Sequence, residues 1–317
     1  MKLTDILRRF RLSYSIYNFF KRKQLAHNEP VLRKYGLHKT YYNAISSQDF
    51  EGKIGETPWL DAHNSRQLLP SNPFFQTLRP EHQQALSDWS DNGFAILPNF
   101  FDTERVDAAN EIVQKLLDTN KIHWKYGNKL MFAIHHSELL AGLGEDPTLK
   151  KILALLLDRE VRLFQSINFY HGSEQRTHSD SIHMTTFPLG YMIAVWVALE
   201  DIGPTQGPLH YYPSSHKLPY LLNDSYQNTG NNILIGDKQY TDYENFIGQY
   251  VADKHLEKAT FMAKKGDLLI WHANLLHGGN PHDDKSLTRK SMVFHYYAKD
   301  VVSYHEISQR PALIQPD

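Results

Sequence analysis

The chain has no cysteine in its 317 residues. That excludes disulfides, thiolate zinc sites, iron–sulfur clusters and a cysteine nucleophile. It also lacks any run of 18 or more apolar residues, the length at which a stretch reads as a transmembrane helix. The N-terminus carries arginines and lysines without the uninterrupted apolar core of a signal peptide, so the sequence reads as a cytoplasmic protein. An excess of one charge is missing too. A formal net charge of -1 offers no general attraction to nucleic acid. Any metal must therefore be held by His, Asp or Glu, and the 18 histidines supply many candidates. Most of those must be ordinary core or surface residues.

The chain opens with a basic segment, residues 1–24. Leu3, Leu7, Phe10, Tyr14 and Tyr17 recur at helical steps among Arg8, Arg9, Arg11, Lys21, Arg22 and Lys23. Two readings fit: an amphipathic helix on an anionic membrane surface, or a helix packing its aromatic face on the domain behind it. Residues 25–80 are broken repeatedly by Pro and Gly and read as an irregular extension.

Order becomes readable at Pro80. Glu81 to Asn92 predicts a helix capped by Gly93, followed by a short strand in Phe94–Leu97. Asp102 is a fitting N-cap for a helix carrying Val106, Ala109, Val113 and Leu116, and another helix spans Pro147 to Leu157. After Arg159 come short runs rich in β-branched and aromatic residues: 161–170, 191–199, 207–212, 267–271 and 291–297. Helices followed by many strands predict a sheet-rich domain with helices on one side. Leu221 to Tyr250 fits no strand pattern and reads as a long insertion or lid.

The chemistry concentrates in two distant stretches. His178 and Asp180, two apart, share a face if they lie on a strand. Far downstream, His277 stands in the run Leu276-His277-Gly278-Gly279. Two His and one carboxylate with open positions are the ligand set of non-haem Fe(II) oxygenases. His272 is a poor rival to His277, because a separation of five places the two on opposite faces of a continuing strand. Arg289 follows twelve residues after His277, and its planar guanidinium suits bidentate pairing with a carboxylate. Ser291 is two further on, on the same face. His183 breaks the alternation and reads as a neighbour of the site or as substrate-facing; His171, His210 and His216 read as structural or surface residues.

Taken with the flanking motifs, the sequence resembles the phytanoyl-CoA dioxygenase family. The likeness rests on His178-Ser179-Asp180-Ser181, Val195-Trp196-Val197-Ala198-Leu199-Glu200-Asp201, Gly207-Pro208-Leu209 and Pro213-Ser214-Ser215-His216-Lys217. Gly266-Asp267, His277-Gly278-Gly279-Asn280 and Arg289-x-Ser291 add to it, and it covers roughly residues 80–300. Ser214 stands where the family has Gly, a departure that touches a turn. The resemblance implies a mainly β fold with flanking helices, built on a double-stranded β-helix (jelly-roll, cupin-like) core. It implies Fe(II) on His178, Asp180 and His277, with 2-oxoglutarate and O2 as co-substrates. Arg289 and Ser291 would hold the remote carboxylate of 2-oxoglutarate. Gln165 and Asn168 would touch the same molecule, although a separation of three lets only one face the barrel on a regular strand.

These readings give an extension over residues 1–79 packed on an oxygenase domain over 80–317. The expected activity is hydroxylation of an unactivated C–H bond in a small-molecule, lipid- or glycan-linked substrate. Retention of the carboxylate ligand sets the chain apart from halogenating relatives, while desaturation, ring closure and epimerisation use the same triad. A cupin-like isomerase and a non-catalytic glycan-binding module are the alternatives. Contact with the inner face of a membrane would run through residues 1–24. Oligomeric state and substrate are not legible in the sequence.

Overall fold

A computed structural model describes residues 10–231 and 233–314. The helices that frame the fold are α1 (Arg11–Phe20), α2 (Asn28–Lys34), α3 (Pro80–Ser87), α4 (Thr103–Asp118), α5 (Pro147–Leu157) and α6 (Tyr240–Asp253). The strands are β1 (Phe94–Leu97), β2 (Trp124–Lys125), β3 (Lys129–Met131), β4 (Val161–Phe169), β5 (Thr185–Phe187), β6 (Met192–Ala198) and β7 (Leu209–Tyr211). They continue with β8 (Ala259–Phe261), β9 (Leu268–His272), β10 (His277–Gly279), β11 (Ser291–Ala298), β12 (Val302–His305) and β13 (Arg310–Pro311).

Seven strands form one antiparallel sheet in the order β1-β9-β6-β11-β4-β3-β2, and β10-β7-β8 and β13-β12-β5 form two smaller ones. Strand alternation divides the large sheet into two faces. Its inner face turns Trp196, Leu269 and Val293 onto Leu209 and Phe261 of the β10-β7-β8 sheet. Its outer face turns Val195, Ile270 and Phe294 onto Val106 and Val113 of α4 and Leu149 and Leu153 of α5. Two sheets enclosing one core, with helices on the outside, are the jelly-roll arrangement.

The local signals act where the residues place them. The Asp102 carboxylate accepts the backbone N–H of Arg105 at 2.7 Å, capping α4. Gly93 adopts φ +75°, and a Cβ there would lie 2.3 Å from the His216 ring, so glycine is required on two counts. The Ser214 departure sits at φ +65°, the left-handed conformation that glycine adopts freely. Its N–H and Oγ donate to the carbonyls of Asn92 and Asp91 at 2.9 and 2.7 Å.

Two expectations are corrected. Residues 25–80 contain short helices, α2 among them, and Leu60, Leu69 and Phe75 join the core shared with α4 and α5. The 221–250 insertion is not a structureless lid: its second half is α6, opened by a reciprocal cap between Gln239 and Asp242 and packed through Tyr243 and Ile247. Between α4 and α5, β2 and β3 extend the large sheet. Of the N-terminal segment, Leu3 and Leu7 lie outside the described residues. No described helix is long and apolar enough to cross a membrane.

Candidate metal and carboxylate site

His178 and His277 face each other across an isolated antiparallel bridge, each backbone N–H donating to the other's carbonyl at 2.9 Å. Asp180 does not continue a strand, as its spacing suggested; it opens a 3-10 turn over Asp180–Ile182. That turn is pinned to the β9–β10 connection, because Ser181 N–H and Ser179 Oγ both donate to the Ala273 carbonyl at 3.0 Å. Ser179 N–H also meets Tyr243 Oη of α6 at 3.3 Å. The result brings one ligand atom from each of His178, Asp180 and His277 within 4.8 Å of one another, all three buried.

The donor set fits a divalent transition metal. Nδ1 of His178 lies 2.9 Å from the Arg176 carbonyl, and Nδ1 of His277 lies 3.0 Å from the Leu275 carbonyl. A carbonyl only accepts, so both protons sit on Nδ1 and each Nε2 carries a lone pair; that of His277 is free, while that of His178 meets the Gln175 amide. Those Nε2 atoms stand 3.7 and 3.8 Å from Asp180 Oδ1. Burial pushes His277 down to about 4, which keeps it in the neutral form a metal needs. Burial alone would raise the Asp180 carboxyl, but His277, His178 and His295 around it hold it well below the usual carboxylate range. Its Oδ2 accepts the indole N–H of Trp271 at 2.8 Å. His272 takes no part, since its Nε2 lies 3.1 Å from Asp61 Oδ2.

Arg289 is fully buried, and its Nε donates to the Gly207 carbonyl at 3.2 Å and its Nη1 to Ser291 Oγ at 2.7 Å. It stacks 5.1 Å from the centroid of Trp196. No carboxylate among the described residues forms an ion pair with it, and Trp196 Nε1 is buried without a partner. Burial draws the guanidinium down to about 10, which still leaves it charged at neutral pH. A buried, unpaired cation beside an orphaned N–H is a site shaped for an anion.

The strand register separates the two amides. Gln165 pairs with His295, while Asn168 pairs with Met292 and Leu130. Gln165 thus shares the inner face with His295, whose Nε2 is 3.8 Å from Asp180 Oδ2. Asn168 points into the helix-covered layer, so its expected place at the co-substrate is corrected by strand alternation.

Four residues of the site escaped the sequence reading. Lys129 on β3 is half-buried, feels the charge of Asp180, and donates to Gln175 Oε1 at 2.9 Å; desolvation lowers its pKa. Gln175 Nε2 lies 3.0 Å from Tyr240 Oη and 3.2 Å from His178 Nε2, joining α6 to the triad. Nothing around Lys129 or Gln175 in sequence marks them. Tyr240 lies in the insertion, at the start of a helix that went unread. His295 was open to detection, since Ser291, Val293 and His295 alternate on one face.

The solved structures similar to this chain include the non-haem α-ketoglutarate-dependent carbocyclase SnoK of nogalamycin biosynthesis, with a TM-score of 0.60 and 14% identity over 77% of this chain and 96% of that one. EctD from S. alaskensis, solved with 2-oxoglutarate and 5-hydroxyectoine, gives a TM-score of 0.54 and 18% identity over 78% and 89%. At such identities the likeness is one of fold. "Phytanoyl-CoA dioxygenase domain-containing protein 1" of Danio rerio is 29% identical over 158 residues, 47% of this chain and 50% of that protein. The chain thus spans about half the length of that curated relative. The family model for phytanoyl-CoA dioxygenase matches residues 89–291. That span holds the metal triad, Arg289 and Ser291 together, and the chain belongs to the phytanoyl-CoA dioxygenase family.

Proposed function

We infer that this chain is an Fe(II)- and 2-oxoglutarate-dependent dioxygenase that hydroxylates an unactivated C–H bond of a small-molecule, lipid- or glycan-linked substrate. Succinate and CO2 are the accompanying products. The observation that carries the reading is the buried Arg289, unpaired among the described carboxylates, in the same core as a His-Asp-His cluster. A structural arginine in that position would have only the longer-range field of Glu200, and no ion pair among the described residues, to offset its charge; one that binds a carboxylate co-substrate is compensated in use.

Iron with 2-oxoglutarate supplies the oxidising power that side chains lack. The chain's own residues bind, orient and exclude. His178, Asp180 and His277 offer three ligands on one side, and Trp271 holds the Asp180 carboxylate in place. Arg289, Ser291 and the Trp196 N–H offer three donors to the remote carboxylate. Lys129, half-buried on β3, adds a second positive charge that the Asp180 carboxylate feels. Asp180 supplies the carboxylate ligand that favours hydroxylation. The wall contributed by Tyr240 and Tyr243 of α6 keeps bulk water from that side of the site.

The test is oxygen-dependent turnover. Anaerobically purified protein loaded with Fe(II) should convert 2-oxoglutarate to succinate when O2 is admitted, slowly without the primary substrate. His178→Ala, Asp180→Ala and His277→Ala should each abolish it. Undiminished succinate formation in all three variants would overturn the assignment. A screen of metabolite extracts for stimulated succinate release would then identify the substrate.

A further inference from the structure

Helix α1 is turned the wrong way round for a surface helix. Its most exposed large side chains are Leu12 (70%), Ile16 (55%) and Phe20 (77%), spaced by four and therefore aligned along one stripe. The opposite side holds it to the protein through polar and aromatic groups. Asn18 is buried and its Nδ2 donates to the Tyr42 carbonyl at 3.0 Å, while Arg310 lies 5.7 Å from the Tyr14 ring. A helix packed on its own domain buries its apolar stripe and shows its polar one. Here the stripe faces outward.

Charge is divided in the same sense. Residues 1–28 hold seven of the 34 Lys and Arg but only one of the 35 acidic residues, leaving that segment at +6 and the remaining chain at -7. Lys21, Arg22 and Lys23 follow directly on Phe20 and are exposed. Positive charge is thus concentrated in the stretch of sequence that carries this outward apolar stripe. The patch also extends onto the insertion: Arg11 N–H donates to the Ile233 carbonyl at 2.9 Å, Phe10 bridges Leu234, and Ile233 is 65% exposed.

We propose that α1, with Ile233 and the Lys21–Lys23 run, is a docking face for an anionic lipid surface. Leu12, Ile16 and Phe20 enter the boundary between headgroups and acyl chains, and the basic residues meet the anionic headgroups. The same contact places the insertion at the interface, and that insertion carries Tyr240 and Tyr243 to the metal triad. Docking itself is independent of the oxygenase reading. Its consequence, an amphiphilic or lipid-linked substrate reached from the membrane, rests on that reading.

The experiment is co-sedimentation of the full chain with phosphatidylcholine vesicles with and without phosphatidylserine, at low and high salt. Binding is expected only with phosphatidylserine and should weaken as salt rises. The double variant Ile16→Glu/Phe20→Glu should bind at least about tenfold more weakly. Each of Lys21→Gln, Arg22→Gln and Lys23→Gln should cost about fivefold. All these side chains are exposed, so thermal melting should match the parent and certify the fold. Absence of binding to phosphatidylserine vesicles, or equal binding by the double variant, overturns the proposal. So does a concentration-dependent dimer that the double variant abolishes without any vesicle binding, since a second copy would then cover the stripe. Succinate formation in detergent-free buffer should be unchanged by the double variant, which separates failure of docking from failure of the oxygenase reading.

Discussion

The indole Nε1 of Trp271 donates to Oδ2 of Asp180 at 2.8 Å, leaving Oδ1 toward the two histidine Nε2 atoms. Trp271 also packs its ring 4.6 Å from that of His277. One side chain therefore orients two of the three metal ligands. Trp271→Phe keeps the ring contact and deletes the donor. Iron affinity should fall by about 10- to 100-fold, the usual cost of losing a partner that orients a ligand. Titration of the metal-free protein with Fe(II) under anaerobic conditions measures it, and unchanged affinity would remove Trp271 from this role.

Arg289 makes a prediction with two opposite signs. Arg289→Met keeps most of the volume and removes a buried charge that has no carboxylate partner among the described residues. Without 2-oxoglutarate, the variant should melt no lower than the parent. With 2-oxoglutarate, only the parent should gain stability, and the variant's apparent requirement for 2-oxoglutarate should rise by about 10- to 100-fold, as expected from losing charge-assisted hydrogen bonds. Iron binding should be little changed. A variant that unfolds at once, or one with unaltered affinity for 2-oxoglutarate, would show that the guanidinium is structural.

These two residues also mark how far the sequence could be read. Short-range rules worked wherever one residue type had one physical job: Asp102 capping α4, Gly93 at φ +75°, the alternation that sets Arg289 beside Ser291. They placed His178 and Asp180 together for a reason the structure replaces. The spacing suggested a strand, but a 3-10 turn tied to Ala273 does the work. Lys129 was invisible because its burial depends on β3 pairing with β4, a long-range event with no local signature. Helix α6 was missed because its stripe is built from Tyr243, Phe246, Ile247 and Tyr250, and polar residues between them blurred the period.

Acid should destabilise the metal-free protein earlier than its carboxylates alone would. Burial pushes His216 down to about 3, with His272 and Lys217 adding to the effect, and burial also pushes His27 and His305 down to about 4. In each case the unfolded chain takes up a proton near pH 6.5 that the folded protein refuses. The stability is therefore fully present above about pH 6.5 and lost as pH falls toward 4 to 3. Buried Glu306, raised by desolvation, acts in the opposite sense and offsets part of it. Urea midpoints at pH 7 and pH 5 should differ clearly, and His216→Phe should flatten the difference. A pH-independent midpoint across that range would contradict the assignment of these histidines as buried and neutral.

Two hydrogen bonds fix a proton position near the triad. The backbone N–H of Ser308 donates to His305 Nδ1 at 3.2 Å, and His305 Nε2 lies 3.3 Å from His183 Nδ1. A backbone N–H can only donate, so His305 Nδ1 accepts and its proton sits on Nε2. That proton is given to His183 Nδ1, which fixes the His183 proton on Nε2. Burial keeps His305 and His183 neutral at pH 7, so the relay does not short-circuit through an imidazolium. The His183 ring stands 4.6 Å from Tyr240 and 6.2 Å from His178, and no acceptor among the described residues takes its Nε2 proton. The expected outcome is a His183 Nε2–H donor beside the metal ligands, in position to meet an oxygen of the molecule being oxidised. Nitrogen-15 shifts of the imidazole rings should show His183 and His305 both in the Nε2–H form. His305→Phe should leave His183 as a mixture of tautomers while succinate formation without primary substrate continues. A His183 signal in the Nδ1–H form in the parent protein would break the chain of inference at its first link.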